Sequence, residues 1–226
     1  MKFIIQVCLM SLCFFSFAAA QASIYLTANF DDLTEGSEGS SFSDGGISFS
    51  NIDERILGPT FYTFDIQATT ANLPGFSPPN YLTFVGYTPG DTSGYSFGRF
   101  GSATIGFPGI ASFASMDIFG FGTSSLNTLT LEAMLGDNVV DSDTVTFYST
   151  NPGGVVYLPL SVSGIFDSLE LVAAGSDNNG TDFFGMDNVN ITVVPEPSVN
   201  GLVCCVLAGV IFRHFGSGVQ RRRFRQ

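Results

Sequence analysis

Short segments in which apolar and polar residues alternate follow one another from residue 23 to residue 193. The clearest are 112–121, 128–135 and 186–193. The last two place most of their apolar residues on one face, whereas the first divides its apolar residues between two faces. A period of two is typical of strands with one buried face. Gly, Pro, Asn, Asp and Ser separate the segments, and no helical period persists for three turns. The pattern therefore predicts an all-β domain.

About a dozen strands are predicted from these segments, in the order 23–30, 47–51, 61–66, 81–85, a hairpin over 95–107 turning at 98–102, 112–121, 128–135, 143–148, 155–162, 169–172 and 186–193. Residues 31–46 are acidic and rich in Gly and Ser, which predicts a loop. Short strands in this number indicate two packed antiparallel sheets, that is, a β-sandwich with jelly-roll topology.

Alternation also predicts which side chains share a face. We expect three inward-facing sets, which are Leu129, Leu131, Ala133 and Leu135; Val145 and Phe147; and Val189, Ile191 and Val193. In the segment 112–121, Phe113 and Phe119 share one face, and Ala114, Met116 and Ile118 share the other.

The first 22 residues have the organisation of a secretory signal peptide. Lys2 precedes an apolar stretch over residues 3–17, and small residues follow it. Ala18 and Ala20, or Ala20 and Ala22, fit the A-x-A rule for cleavage. The mature chain is therefore predicted to begin near residue 21 or 23, outside the cytoplasm, after passage through the export machinery and cleavage by signal peptidase.

The last 33 residues contain a proline motif, an apolar segment and a basic end, in that order. The motif is Val194, Pro195, Glu196, Pro197 and Ser198. The apolar segment spans 199–215 and predicts a single hydrophobic helix. The basic tail spans 213–226 and contains Arg213, Arg221, Arg222, Arg223 and Arg225. Because arginines are costly to translocate, this cluster should hold the end of the chain in the cytoplasm.

This order of parts resembles the PEP-CTERM sorting signal of envelope proteins. The resemblance implies that an exosortase, a membrane protease, processes the chain near Pro195, Glu196 and Pro197. It also implies a precursor held transiently in the inner membrane, a product at the cell surface or in the extracellular matrix, and a link to exopolysaccharide and biofilm. The alternative is an ordinary single-pass anchor after a Pro-rich linker.

The charge of residues 23–193 restricts the chemistry that this domain can perform. It contains two arginines and 19 acidic residues, a net charge of −17, and no lysine, histidine or cysteine. Triads that need His or Cys, zinc sites built from them and a lysine-dependent phosphate loop are therefore excluded. A domain of this charge repels nucleic acid. A pair of carboxylates, as in glycosidases, is the one catalytic device left, and no motif specifies it. We expect no enzyme activity.

Two binding sites are candidates. Asp31, Asp32 and Asp187 offer oxygen ligands in loops, which suits a structural calcium ion; the alternative is that they are ordinary turn formers. Tyr95 and Phe97 beside Arg99 could form a sugar-stacking surface, or could instead be part of a hairpin packed into the core.

A second resemblance concerns residues 29–33 (NFDDL), 45–51 (GGISFSN) and 184–189 (FGMDNV). They are similar to segments of PEP-CTERM passenger domains, which implies a galactose-binding-like sandwich related to carbohydrate-binding modules. We therefore expect a non-enzymatic surface or matrix protein. The alternatives are a secreted carbohydrate-binding module and a carboxylate-dependent, glycan-active enzyme.

Overall fold

The computed structural model describes residues 22–54, 61–68, 77–87, 100–121, 126–147, 155–175 and 184–195. Residues 23–194 form one compact unit. Its strands are β1 (Ile24–Ala28), β2 (Gly36–Gly39), β3 (Phe42–Asp44), β4 (Ile47–Glu54), β5 (Phe61–Ala68), β6 (Asn80–Tyr87), β7 (Phe100–Phe121), β8 (Asn127–Leu135), β9 (Asn138–Phe147), β10 (Val155–Gly175) and β11 (Phe184–Val194). All the strand pairs are antiparallel. The prediction of an all-β antiparallel sandwich is confirmed.

Two layers share the long strands β7 and β10. Sheet A consists of β3, β4, the first part of β7, the second part of β10, β8 and β9. Sheet B consists of β1, β2, β5, β6, β11, the second part of β7 and the first part of β10. Strands β6 and β1 pair with the start and the end of β11 along the same edge.

The long strands correct the prediction that residues 100–107 and 112–121, and likewise 155–162 and 169–172, are separate strands. Gly109 (φ +81°) and Gly164 (φ +116°) bend β7 and β10, and the pairing register shifts between Ser163 and Ser168. Strands that pass from one layer to the other need such a bend. Gly and Pro near these positions therefore mark a corner, not the end of a strand.

Other boundaries differ from the prediction as well. Strands β2 and β3 lie within the predicted loop 31–46, and β9 begins at Asn138 instead of residue 143. In the predicted hairpin over 95–107, residues 100–107 continue straight into β7, and residues 95–99 lie outside the described residues. Leu135 is 40% exposed, because β8 ends there, so it does not join the inward set.

The core between the sheets is built largely from phenylalanine. Phe49 of sheet A contacts Phe64 of sheet B with 6.2 Å between ring centroids, and Phe84 contacts Phe100 at 4.3 Å. The predicted inward sets 129–133 and 189–193 are buried in this core, as is Phe147. Tilted and edge-on ring pairs fill the layer without disulfides, consistent with the absence of cysteine from residues 23–193.

Carboxylates of β9 protect the edge of sheet B. The backbone N–H of Ser163 donates to Asp141 Oδ2 at 2.7 Å, and that of Ser161 donates to Asp143 Oδ2 at 2.9 Å. These amides lie on the edge of β10 that pairs with none of the described strands of sheet B. Side chains from sheet A thus satisfy donors that could otherwise pair with another chain.

Candidate functional site

Six strands of sheet B align their outward-facing side chains in one row. The hydrogen-bonding register makes each residue of the row the direct neighbour of the next, in the order Ser37, Asp65, Thr83, Gly185, Phe119 and Tyr157. Their strand neighbours of opposite parity, such as Phe64, Leu82 and Ile118, lie in the core. The row therefore belongs to the outer face of sheet B, away from the core, and we call this surface the sheet B face.

Gly185 lies at the middle of this row and has no side chain. Its neighbours on either side are Thr83 and Phe119. A glycine inside a strand leaves space for close approach to the backbone. Strands lie about 4.8 Å apart, so four steps separate Asp65 from Tyr157 by about 19 Å. The row on the sheet B face is thus elongated: Thr83 and Tyr157 are partly exposed, Asp65, Gly185 and Phe119 are buried, and polar groups lie at both ends.

Asp117 organises one end of the sheet B face. The hydroxyl of Tyr157 donates to Asp117 Oδ1 at 2.7 Å, and Asn188 Nδ2 donates to Asp117 Oδ2 at 3.1 Å. The hydrogen bond to Asp117, with burial and the carboxylate charge, raises the pKa of Tyr157 to about 12. The Tyr157 ring also contacts Phe119, with 6.0 Å between centroids. This end therefore presents a tyrosine that is fixed in orientation and stays protonated.

Asp65 organises the other end, although it is only 2% exposed. Gln67 Nε2 donates to Asp65 Oδ2 at 2.9 Å, and Oδ1 has no hydrogen-bond partner among the described residues. Burial raises the pKa of Asp65, the Gln67 hydrogen bond lowers it, and the charge of Glu35 raises it again. Burial, with the charges of Asp65 and Glu35, also raises the pKa of Tyr81. The strand register agrees, because Tyr81 pairs with Gln67 and Glu35 directly precedes Gly36, which pairs with Ile66.

Asp65 and Asp117 are not arranged as a glycosidase pair. Three strand steps and a two-residue offset separate them, which places them about 15 Å apart. Glycoside hydrolysis uses carboxyl groups about 5 to 10 Å apart. These two carboxylates can accept hydrogen bonds from a ligand but cannot act together on one glycosidic bond.

Two of the three predicted calcium ligands come near each other. Burial raises the pKa of Asp187 to about 6, and the hydrogen bonds from Ser77 and Asn188 oppose this rise. The negative charge of Asp31 adds a smaller upward shift of the same pKa. Asp187 accepts those bonds through both oxygens, at 2.7 Å from the Ser77 and Asn188 amides. Asp32 is exposed.

Protein donors therefore already occupy the Asp187 carboxylate. Asp31 likewise accepts hydrogen bonds from Asn29 and Asn80. In the described ranges, no three potential metal-binding side chains cluster together. The calcium site remains a prediction from the sequence.

Most of the other predicted site residues lie outside the described residues. They are Tyr95, Phe97, Arg99, Ala18, Ala20, Glu196, Pro197, Ser198, Arg213, Arg221, Arg222, Arg223 and Arg225. Of the remainder, Ala22 is exposed, Val194 ends β11 and Pro195 follows it. Within the part of the chain that is described, no helix is long and apolar enough to cross a membrane.

Sequence reasoning missed Asp65, Tyr81, Asp117 and Tyr157. One signal was available, because Asp65 and Asp117 are each flanked along the strand by apolar residues on both sides. Charged residues are rarely buried without a partner, so a carboxylate between two apolar neighbours is a candidate functional group. The prediction that Phe113 and Phe119 share a face is confirmed, but Phe113 is 42% exposed and Phe119 is buried.

Comparisons with known proteins give distant structural likenesses only. Neither the protein-family models nor the curated proteins include a match. A CBM22-1 xylan-binding domain from Paenibacillus barcinonensis Xyn10C is 17% identical with a TM-score of 0.38, covering 79% of this chain and 100% of that one. A family 11 carbohydrate-binding module from Clostridium thermocellum, in complex with a mixed-linked tetrasaccharide, is 12% identical with a TM-score of 0.36, covering 76% and 98%. What is established for this chain is its fold, an antiparallel two-sheet β-sandwich.

Proposed function

We propose that this protein binds a polysaccharide along the sheet B face. The observation that carries the proposal is the row from Asp65 through Gly185 to Tyr157, which combines acceptors, hydroxyls and aromatic rings around a central glycine. Binding sites for small molecules combine apolar and aromatic surface with a few well-placed polar groups, and this row has that composition.

Each part of the row has a role in this proposal. The Tyr157 ring stacks on the apolar face of a sugar ring, and Asp117 fixes the orientation of Tyr157 through its hydroxyl. The absence of a side chain at Gly185 admits the glycan chain close to the backbone. A carboxylate has about four lone-pair sites that accept hydrogen bonds. Tyr157 and Asn188 occupy two of those of Asp117, so the other two are available to sugar hydroxyls. A length of about 19 Å accommodates several sugar units, which favours a polymer over a monosaccharide.

The proposal includes delivery of the protein to the cell surface. The motif at 194–198, followed by the apolar segment and the arginine cluster, supports sorting by an exosortase-like protease after export. Binding of exopolysaccharide would then retain the processed protein in the extracellular matrix. In this proposal the protein is a non-enzymatic matrix component, and its partners are the export machinery, signal peptidase, the exosortase and the polysaccharide.

Binding of soluble oligosaccharides by isothermal titration calorimetry tests the proposal. A panel of neutral and amine-bearing glycans is titrated into the full chain and into Tyr157→Ala, which removes the ring. We expect at least one glycan to bind, and Tyr157→Ala to weaken its binding at least tenfold.

The matched control lies on the opposite layer. Glu132 is partly exposed on the outer face of sheet A, and its replacement in Glu132→Gln leaves the sheet B face untouched. Glu132→Gln should bind as the native chain does. In case Tyr157→Ala does not fold, Tyr157→Phe retains the ring and removes only the hydrogen bond to Asp117. The proposal is refuted if no glycan binds, or if Glu132→Gln weakens binding as much as Tyr157→Ala.

A further inference from the structure

One buried carboxylate oxygen at the Asp65 end of the sheet B face has no hydrogen-bond partner among the described residues. We call Glu35, Asp65, Gln67 and Tyr81 the Asp65 cluster. Asp65 is its floor, Gln67 and Tyr81 are half-buried beside it, and Glu35 is exposed. Gln67 satisfies Asp65 Oδ2, whereas the buried Oδ1 has no partner among the described residues. A buried carboxylate oxygen without a donor is costly, and such exceptions in a folded protein call for an explanation.

A basic side chain does not supply the missing donor within the described ranges. Those ranges contain no lysine, arginine or histidine, although they contain sixteen acidic residues. Buried charges in proteins are normally paired or bound to a metal. The Asp65 cluster is therefore suited to a positively charged group that comes from a ligand.

The number and kind of acceptors indicate which cation would fit. Calcium takes six to eight oxygen ligands, and two carboxylates do not provide that number. None of the described residues form a group of three potential metal ligands. A primary ammonium group instead has three N–H donors. Asp65 Oδ1 and the two oxygens of the Glu35 carboxylate offer one acceptor for each.

We propose that the Asp65 cluster binds the protonated primary amine of an amino sugar, so that the polysaccharide bound by this protein carries free amino groups. This inference rests on the proposed polysaccharide binding and specifies its ligand. The amine makes charge-assisted hydrogen bonds to Asp65 and Glu35, and the bond to the buried Asp65 is the stronger one because that carboxylate is shielded from water. The exposed Glu35 side chain rotates to admit it. An acetylated amine has lost its charge and two donors and does not satisfy the cluster.

Two oligosaccharides that differ only at nitrogen test this inference. The probes are the β-1,4-linked glucosamine hexamer and its fully N-acetylated counterpart, titrated separately into the full chain. We expect the hexamer with free amines to bind at least tenfold more tightly. Asp65→Asn, which removes the charge at nearly constant shape, should abolish this preference. Glu35→Gln should reduce it, and this exposed substitution keeps the test valid if Asp65→Asn does not fold.

Asp137→Asn is the matched control, because Asp137 is exposed in the turn between β8 and β9 and its replacement changes the net charge equally. The preference should persist in this variant. The inference is overturned if both hexamers bind equally, and the polysaccharide proposal then survives as long as Tyr157→Ala weakens their binding. If neither hexamer binds, the inference is also overturned, and the wider glycan panel decides the proposed function. Binding of calcium chloride alone that Asp65→Asn abolishes would overturn it in favour of a metal site.

Discussion

Gly45 provides a sharp test of the packing between β1 and the β3–β4 hairpin. Gly45 and Gly46 form the two-residue turn of this hairpin, with φ angles of +56° and +82°. Glycine is favoured in such turns because both central residues need positive φ. A Cβ at Gly45 would also overlap the backbone carbonyl of Thr27, a residue of β1. Gly45→Ala therefore combines an unfavourable φ with a steric clash that a side-chain rotation cannot relieve.

A second glycine separates these two effects. Gly136, in the turn between β8 and β9, has a φ of +58°, and a Cβ there would meet no atom within 4 Å. Gly136→Ala should cost only the conformational penalty, about 1 kcal/mol in the free energy of unfolding. At Gly45 the turn must also move away from β1, and the adjacent hydrogen bond from the Phe30 amide to Asp44 must lengthen or break. We expect a total cost of about 3 to 4 kcal/mol, in the range of severe substitutions.

Urea unfolding measures both substitutions on the same scale. Because the chain has no tryptophan, tyrosine fluorescence and far-ultraviolet circular dichroism are the suitable signals. Comparable m-values for the native chain and both variants would show that the shifts in midpoint report stability. Equal destabilisation by Gly45→Ala and Gly136→Ala would refute the predicted contact with Thr27. A difference of about 2 kcal/mol or more supports it.

Three further predictions follow from other parts of the chain. The pKa of Asp187 is about 6 in the folded state and 3.8 for a free side chain, so folding favours the protonated form. Protonated Asp187 therefore stabilises the fold fully below about pH 4, and this stabilisation is lost as the pH rises through 6. The free energy of unfolding, measured with denaturant, should fall between pH 4 and pH 7 by up to about 3 kcal/mol more in the native chain than in Asp187→Asn. If the difference in this free energy between the two proteins is the same at both pH values, the prediction is wrong. Replacing both Asp141 and Asp143 by Ala should expose the edge of β10 and so increase self-association, which light scattering measures. Asp137→Ala is the control, and an equal increase in self-association of that variant would contradict the protection of the edge. Glu196→Ala should leave an unprocessed precursor in the membrane, which intact-mass measurement of the membrane fraction detects. A product of normal size at the cell surface would argue against sorting through this motif.

The sequence alone determined the fold class of this protein and much of its core. Alternation with a period of two is a local property, so it correctly placed Leu131 and Ile191 inward. The composition also determined that the domain holds together without disulfides and that catalysis through His or Cys is excluded. These conclusions need no knowledge of which strands are neighbours.

Local signals could not determine where the long strands bend. Gly and Pro favour a turn and a bend alike, because both need unusual φ values or the loss of an amide donor. Whether β7 ends at Gly109 or continues past it depends on its partner β10, which bends at the same place in the sheet. The sequence therefore predicted two strands where the structure has one.

Only the tertiary structure decided the candidate site. Asp65, Thr83, Gly185, Phe119 and Tyr157 come from five strands that are far apart in the chain, and hydrogen-bonding register alone places them in one row. A shift of one residue in any pairing would turn the side chains of that strand to the core side. Register is set by the packing of the whole sandwich, so alternation within a single strand can show that Asp65 faces outward but cannot show which residues lie beside it.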